Sequence, residues 1–277
     1  FCFGHLEDFV AVDTEAVSAD HMDQMRHALN THGLDAVVST DGDGDRPLLL
    51  DEAGHQINGD VLGALTARFL GAKTVVTPLT STSGIELSGW FETVIRTRIG
   101  SPFVVEAMTQ ATTKDEDRIV GFEANGGFLV QTPFSLEDGI LDPLPTRDAV
   151  LPILAVLASS KSAGEPISHL AASLPPRVMK AARLKEIPPQ KGSKFCVTMA
   201  DSFVMRTVFD PILSDISAID TTDGTRLTLT DGSIVHFRQS GNAPELRCYV
   251  ETDTAEATDR LLETMMAQLE QHFGRKE

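Results

Sequence analysis

Val61-Leu62-Gly63-Ala64-Leu65-Thr66-Ala67-Arg68-Phe69-Leu70-Gly71-Ala72-Lys73-Thr74-Val75-Val76-Thr77-Pro78 joins two hydrophobic periods end to end. From Val61 to Leu70 the apolar residues recur at helical spacing and stop at Gly71, whereas Thr74 to Thr77 is a short strand-like run that Pro78 closes. A helix feeding a short buried strand is the repeating unit of an α/β layer. Upstream the order recurs: Ala19 to Asn30 places Met22, Met25, Ala28 and Leu29 at helical spacing, His32-Gly33 ends it, and Ala36 to Thr40 reads as a buried strand. The acidic loop Asp41 to Asp45 follows, then Leu48-Leu49-Leu50 and a turn from Asp51 to Gly54, so the loop sits at a strand end. Downstream, Thr93 to Arg98 and Ile119 to Phe122 read as strands, with a helix from Pro102 to Gln110 between them and a long apolar helix from Arg147 to Ala158 after them.

The chain changes character at Ser173-Leu174-Pro175-Pro176, because Pro-Pro cannot continue a helix and favours a stiff, extended link. Beyond it, Thr225 to Thr230 and Ser233 to Arg238 flank Asp231-Gly232, a two-residue hairpin turn, and Leu246 to Glu251 supplies another strand. A final helix with Leu262, Met265, Met266, Leu269 and Phe273 on one side is expected to cover that sheet, its methionines filling core gaps. The carboxy-terminal part therefore reads as α+β with an antiparallel sheet.

At 277 residues, 42% hydrophobic and 23% charged, the chain is long enough for two or three domains and too apolar to be disordered. A formal net charge of −17, with no dense Lys/Arg cluster, excludes nucleic acid and anionic membrane surfaces as partners. A local group of arginines can still bind an anion, since the global field is screened within about 8 Å at physiological salt. Cys2, Cys196 and Cys248 are odd in number and widely spaced, which indicates neither a disulfide framework nor a cysteine zinc site and fits a reducing cytoplasm. No long apolar run suits a membrane span, and Phe1-Cys2-Phe3-Gly4-His5 lacks the features of a signal peptide. Nothing in the sequence sets an oligomeric state.

Asp41-Gly42-Asp43-Gly44-Asp45-Arg46 places three carboxylates at alternate positions, with glycines that let the backbone curl their oxygens toward one point. Such a cage suits a hard divalent cation. A solvated acidic turn is the plain alternative. A calcium EF-hand is another, since Asp41, Asp43 and Asp45 fill its first three ligand positions and Glu52 the twelfth; against it, Arg46 stands where glycine is wanted, and a β-branched run precedes the loop.

Ser39-Thr40-Asp41-Gly42-Asp43-Gly44-Asp45-Arg46 resembles the metal loop of the α-D-phosphohexomutases, the phosphomannomutase/phosphoglucomutase family. The resemblance implies that Asp41, Asp43 and Asp45 hold Mg2+ beside a phosphoserine, with Arg46 in a supporting role. It also implies mixed-sheet α/β domains, a partial second domain over 1–58 and a complete third over 59–174, followed by an α+β fourth domain over 175–277. Gly121-Phe122-Glu123-Ala124-Asn125-Gly126-Gly127 matches the family's sugar loop, Gly-Glu-x-Ser-Gly-His, with Glu123 in the position that contacts sugar hydroxyls. Asn125 stands where Ser is usual and Gly127 where His is usual, so no proton-transfer role carries over to that position.

Arg238-Gln239-Ser240-Gly241-Asn242-Ala243-Pro244-Glu245-Leu246-Arg247 brings two guanidinium groups, a hydroxyl and backbone amides to one turn, the makings of a phosphate cradle. It resembles the family's fourth-domain loop, Arg-x-Ser-Gly-Thr-x-Pro-x-x-Arg, and Arg238, Ser240, Gly241, Asn242 and Arg247 are the substrate-binding candidates. Thr97-Arg98-Ile99-Gly100 resembles a third-domain segment that sends a basic residue to the active site, which makes Arg98 a further candidate. The implied activity is interconversion of hexose 6-phosphate and hexose 1-phosphate, most closely a phosphomannomutase, through a phosphoserine and a bisphosphate intermediate. No phosphoserine loop of the form Thr-x-Ser-His-Asn occurs, and Ser39, Ser81 and Ser83 stand in no matching context, so no nucleophile is assigned and the chain alone is expected to be inactive. The alternative from another class is a noncatalytic sugar-phosphate-binding module.

Overall fold

A computed structural model describes residues 14, 17–113 and 117–274. Cys2 and the stretch Phe1 to His5 lie outside them. The chain divides into two compact units, Phe1–Pro175 and Pro176–Glu277.

In the first unit α1 (Ala19–His32) precedes an antiparallel hairpin of β1 (Val37–Thr40) and β2 (Pro47–Leu50). Ser18 caps α1 through its side chain, which accepts from the His21 N–H, and Gly33 ends it in the left-handed conformation. Met25 and Leu29 pack on Val37, Leu48 and Leu50. Strand β1 is less buried than its sequence suggests: Val37 faces this core while Val38 is 45% exposed, in a ribbon whose other strand, β2, is buried at all four residues.

Next come α2 (Gly59–Leu70), β3 (Thr74–Pro78), α3 (Gly84–Leu87), β4 (Thr93–Thr97), α4 (Ser101–Ala111), β5 (Ile119–Phe122), β6 (Phe128–Val130), β7 (Phe134–Leu136), β8 (Gly139–Leu141), β9 (Leu144–Asp148), α5 (Val150–Ala163) and α6 (Ile167–Ala172). Five of these strands form a mixed sheet in the order β4-β3-β5-β6-β9, with β3 parallel to β4 and β5 and the remaining pairs antiparallel. One face packs Val75, Val120, Phe122 and Phe128 against Ala64 and Ala67 of α2, and the other packs Val76, Ile119 and Leu129 against Val104 and Met108 of α4. Burial on both faces explains why β3 and β5 are short, continuous apolar runs. Leu49 joins Leu62, Leu65, Val156 and Ile167, so the hairpin and the three helices α2, α5 and α6 share a core.

The helix expected from Arg147 starts later. Leu144 to Asp148 is strand β9, and Asp148 then caps α5 by accepting from the N–H groups of Val150 and Leu151. Arg147 is thereby a strand-end residue.

The second unit contains β10 (Val178–Lys185), α7 (Pro189–Asp201), α8 (Phe203–Phe209), a 3-10 turn (Pro211–Ser214), β11 (Ile216–Asp220), β12 (Thr225–Leu229), β13 (Ile234–Gln239), β14 (Glu245–Thr252) and α9 (Ala255–Gly274). Its sheet runs β10-β14-β13-β12-β11 and is antiparallel throughout. Leu227, Val235, Phe237, Leu246, Cys248 and Val250 of one sheet face pack with Phe195 and Met199 of α7 and Leu261, Met265 and Leu269 of α9, as the spacing of those methionines predicts. Mixed α/β followed by antiparallel α+β is the architecture expected from the sequence. Among the described residues no helix is long and apolar enough to cross a membrane.

Candidate functional site

The acidic loop is the tip of the β1–β2 hairpin. Asp41 N donates to the Arg46 carbonyl at 3.1 Å, and Asp41 Oδ1 accepts from the N–H groups of Asp45 and Arg46 at 3.0 Å each, which curls the loop tightly. One ligand atom from each of Asp41, Asp43 and Asp45 lies within 4.8 Å of the others. Asp41 Oδ2 and Asp45 Oδ1 are buried and accept no well-directed hydrogen bond, although Arg46 Nε stands 2.7 and 3.4 Å from them. Burial alone would raise the Asp41 pKa, but the backbone N–H and guanidinium of Arg46 outweigh it and hold the carboxyl below its ordinary value. Asp45 goes the other way: burial, with the neighbouring charges of Asp41 and Asp43, raises its pKa against the pull of Arg147. Crowded carboxylate oxygens, two of them buried and without a directed donor, fit a hard divalent cation such as Mg2+, and no His or Cys in the cluster favours a softer one.

Glu52, the twelfth position of an EF-hand, is not part of this cluster. Its carboxylate accepts from Ser168 Oγ and the Ser168 N–H at the start of α6, which lowers its pKa despite burial, and a strand precedes the loop. The EF-hand alternative is therefore wrong.

The loop from Glu123 to Gly127, the sugar-loop candidate, follows β5 at the carboxyl ends of the parallel strands, where open α/β sheets place their ligands. Glu123 is 6% exposed, and its carbonyl accepts from Gly126 N at 2.9 Å. Asn125 Oδ1 accepts from Gly127 N at 3.0 Å, so its oxygen shapes the turn and its amide nitrogen is left for a ligand. This loop packs on Pro47, the first residue of β2 beside the acidic tip, and on the start of α2. A Cβ on Gly59 would come 2.3 Å from Gly126 N, and one on Gly126, whose φ is +86°, would meet the Pro47 ring at 2.8 Å.

Arg147, absent from the sequence candidates, connects the two loops. Its Nη2 is 2.5 Å from Asp45 Oδ2 and its Nη1 is 3.6 Å from Glu123 Oε2. The stem crosses Gly127 so closely that a Cβ there would lie 2.7 Å from Arg147 Cδ and 2.9 Å from Cγ. Glycine at that position leaves the arginine its path. The capping Asp148 was the available signal, since it moves the helix start to Val150 and frees Arg147 from the helix.

Arg98 is exposed, and its guanidinium stacks 4.5 Å from the Phe103 ring centre, a contact within its own strand-to-helix connection. The structure does not join it to the acidic loop or Glu123. Arg96 instead fastens the loop after β3, donating to the carbonyls of Pro78, Ser81 and Thr82 and to Glu86.

In the second unit, Arg238 to Arg247 spans the β13–β14 hairpin. Ser240 N donates to the Glu245 carbonyl at 2.9 Å, and Gln239 Nε2 donates to the carbonyls of Ser240 and Glu245 from beneath. Ser240 Oγ accepts from Asn242 N at 3.4 Å. The N–H groups of Gly241 and Ala243 make no hydrogen bond among the described residues, and nothing lies within 4 Å of a Cβ built on Gly241. The two arginines are not free forks, however. Arg238 Nε donates to Asp223 Oδ2 at 2.7 Å, while Arg247 Nε and Nη2 both reach Glu245 Oε1, at 3.0 and 2.8 Å. A cavity of about 470 Å³ beside α7 includes Asp223, Arg238 and Gln239 in its lining. Cys196, also in that lining, is buried with its thiol pushed up to about 11, and burial raises the Cys248 thiol too; neither is a ready nucleophile.

Comparison with known proteins follows the same division. The family model described as "Phosphoglucomutase/phosphomannomutase, alpha/beta/alpha domain III" matches residues 58–178, and that described as "Phosphoglucomutase/phosphomannomutase, C-terminal domain" matches residues 177–268. A phosphomannomutase from Sinorhizobium fredii is 42% identical over 266 residues, and one from Salmonella muenchen 39% identical over 272. These alignments take in 96% and 97% of this chain and 56% of each relative, so the chain spans little more than half the length of the curated relatives it matches. The Aspergillus fumigatus N-acetylphosphoglucosamine mutase, solved in complex with GlcNAc-6P and magnesium, shares the fold with a TM-score of 0.60 at 17% identity, over 85% of this chain and 48% of that one. With two consecutive family domains matched in order, the chain belongs to the phosphoglucomutase/phosphomannomutase family.

Proposed function

We propose that this chain carries the cation, sugar and phosphate loops of a magnesium-dependent phosphohexomutase, a phosphomannomutase that interconverts hexose 6-phosphate and hexose 1-phosphate. The observation that supports this most is the convergence of Asp41, Asp43 and Asp45, with Arg147 bridging their loop to Glu123. Asp41, Asp43 and Asp45 would hold Mg2+, which when bound neutralises charge on a transferring phosphoryl group. Arg46 keeps the Asp41 carboxylate ionised and turned inward. Glu123, held by Arg147, accepts hydrogen bonds from sugar hydroxyls, and Asn125 offers its amide N–H groups. Arg98, the residue after β4, would be the further basic side chain that contacts the substrate. In the second unit Arg238, Arg247, Ser240, Asn242 and the N–H groups of Gly241 and Ala243 grip a phosphate by charge-assisted bonds. The family reaction passes through phosphoserine and a hexose bisphosphate. No serine of this sequence is assigned as the phosphate carrier, so the purified chain should give no complete turnover.

Titrations of the purified chain test these assignments. Asp43→Asn should weaken Mn2+ binding about tenfold by removing one charged oxygen ligand. Tight Zn2+ binding lost in the same variant would overturn the cation assignment. Arg247→Ala should weaken inorganic phosphate about tenfold, since a charged hydrogen bond is worth roughly 1.5–3 kcal/mol. Glu123→Ala should leave inorganic phosphate unaffected and reduce the preference for mannose 6-phosphate over it. Equal effects of Glu123→Ala on both ligands would remove the sugar loop from the site.

A further inference from the structure

We propose that Glu245 is a positioning residue of the phosphate loop and that Arg183, on the neighbouring strand, is a second guanidinium it holds for the same anion. This rests on reading residues 238–247 as the phosphate cradle. The strand register places Arg183 directly opposite Arg247, and Arg247 directly opposite Arg238, so three arginines form one row across β10, β14 and β13. Side chains at paired positions share a face and lie about 4.5–5.5 Å apart at Cβ, where like charges repel. One carboxylate offsets that repulsion. Glu245, two residues before Arg247 and so on the same face, has a side chain only 7% exposed.

Its two oxygens divide the work. Oε1 accepts from Arg247 Nε at 3.0 Å and Nη2 at 2.8 Å, and Oε2 faces Arg183 Nη1 at 3.4 Å. The Tyr249 side chain hydrogen-bonds the same guanidinium, and a guanidinium whose orientation is fixed by such partners loses less rotamer freedom when its remaining N–H groups bind an anion. Asp223 does the same for Arg238 from the opposite flank, through Nε at 2.7 Å. The Glu245 backbone closes the loop as well, its carbonyl accepting from Ser240 N at 2.9 Å and its N–H donating to the Ala243 carbonyl at 2.8 Å. The ligand class is a phosphate monoester or free phosphate, with Arg183 side chain 57% exposed and able to turn toward it. A single buried carboxylate thus ties the backbone of the loop to two cations of the cradle.

The sign of one substitution decides between this role and plain electrostatics. Removing a negative charge beside an anion site should tighten binding if Glu245 only competes with the ligand. If Glu245 positions Arg247 and Arg183, Glu245→Gln should instead weaken inorganic phosphate about three- to tenfold, measured by calorimetry on the full chain. Arg183→Gln should weaken it about threefold and make its salt dependence shallower. Unchanged or tighter phosphate binding in Glu245→Gln overturns the proposal. Arg247→Ala separates the two levels: if it leaves phosphate binding intact, the cradle itself is misplaced, and if it weakens binding while Glu245→Gln does not, only the positioning role fails. Should Glu245→Gln not fold, Arg183→Gln at its exposed position decides alone, and phosphate affinity equal to the unsubstituted chain overturns the proposal.

Discussion

In the first unit the candidate site draws on residues from Asp41 to Arg147, whereas in the second the proposed phosphate site lies within the Arg238 to Arg247 hairpin, with Asp223 paired to Arg238 and Arg183 paired to Glu245. The charge logic is also reversed. Around the acidic hairpin, carboxylates are presented and the arginines at 46 and 147 counter them; around the β13–β14 hairpin, arginines are presented and Asp223 and Glu245 hold them from behind. A site assembled from distant loops depends on how closely those loops pack, while a hairpin site depends mostly on its own strand register. The first should therefore be fragile to packing changes and the second to charge changes.

The sharpest test of that contrast is a pair of glycines. Gly59→Ala would force a methyl group within 2.3 Å of Gly126 N and 2.5 Å of the Ala124 carbonyl, both backbone atoms that cannot swing aside. It should cost roughly 1–3 kcal/mol of stability, read by denaturant unfolding, and weaken mannose 6-phosphate binding by displacing the sugar loop. Gly241→Ala meets nothing within 4 Å and should stay within about 0.5 kcal/mol of the unsubstituted chain. Equal costs at the two positions would break the comparison.

Arg147→Gln comes next in size. The guanidinium beside Asp45 competes with any cation for that carboxylate, so its loss should tighten Mn2+ binding about tenfold, equivalent to roughly 1.4 kcal/mol. The same variant should lower sugar-phosphate selectivity, because Glu123 loses its tether. Weaker Mn2+ binding would mean that Arg147 builds the loop instead of opposing the cation.

The smallest effect concerns pH and belongs to the second unit. His236 is buried, its Nε2 meets the Asp223 carbonyl at 2.6 Å and its ring stacks on Tyr249. Burial lowers its pKa below the ordinary 6.5 despite the Asp223 partner, so the unfolded chain binds the proton better than the folded one. The stabilisation from neutral His236 is present above about pH 6.5 and is lost as pH falls toward its folded pKa, by at most about 1.4 kcal/mol per pH unit. His236→Gln should flatten that slope in urea unfolding between pH 7 and 5. A slope unchanged by the substitution would assign it to other groups.

Local order in the chain settled a good deal. The helix-to-strand sequence over 61–78, the Asp231-Gly232 hairpin, the helical side of α9 and the alternating aspartates at 41, 43 and 45 are all short-range patterns, and each element forms where its pattern stands. Other elements carried no such pattern: β6 is three residues long, and β10 is a strand of half-exposed and exposed residues with Lys180, Arg183 and Lys185. Such strands exist because a partner at long sequence separation supplies their hydrogen bonds, Thr252 to Glu245 in the case of β10. Sequence alone determined the kinds of donor and acceptor near each loop. Only tertiary structure decided that Arg147 spans from Asp45 to Glu123, that Gly127 makes way for it, and that Glu245 is spent on two arginines, because those contacts are set by packing distances between strands and loops that no local spacing encodes.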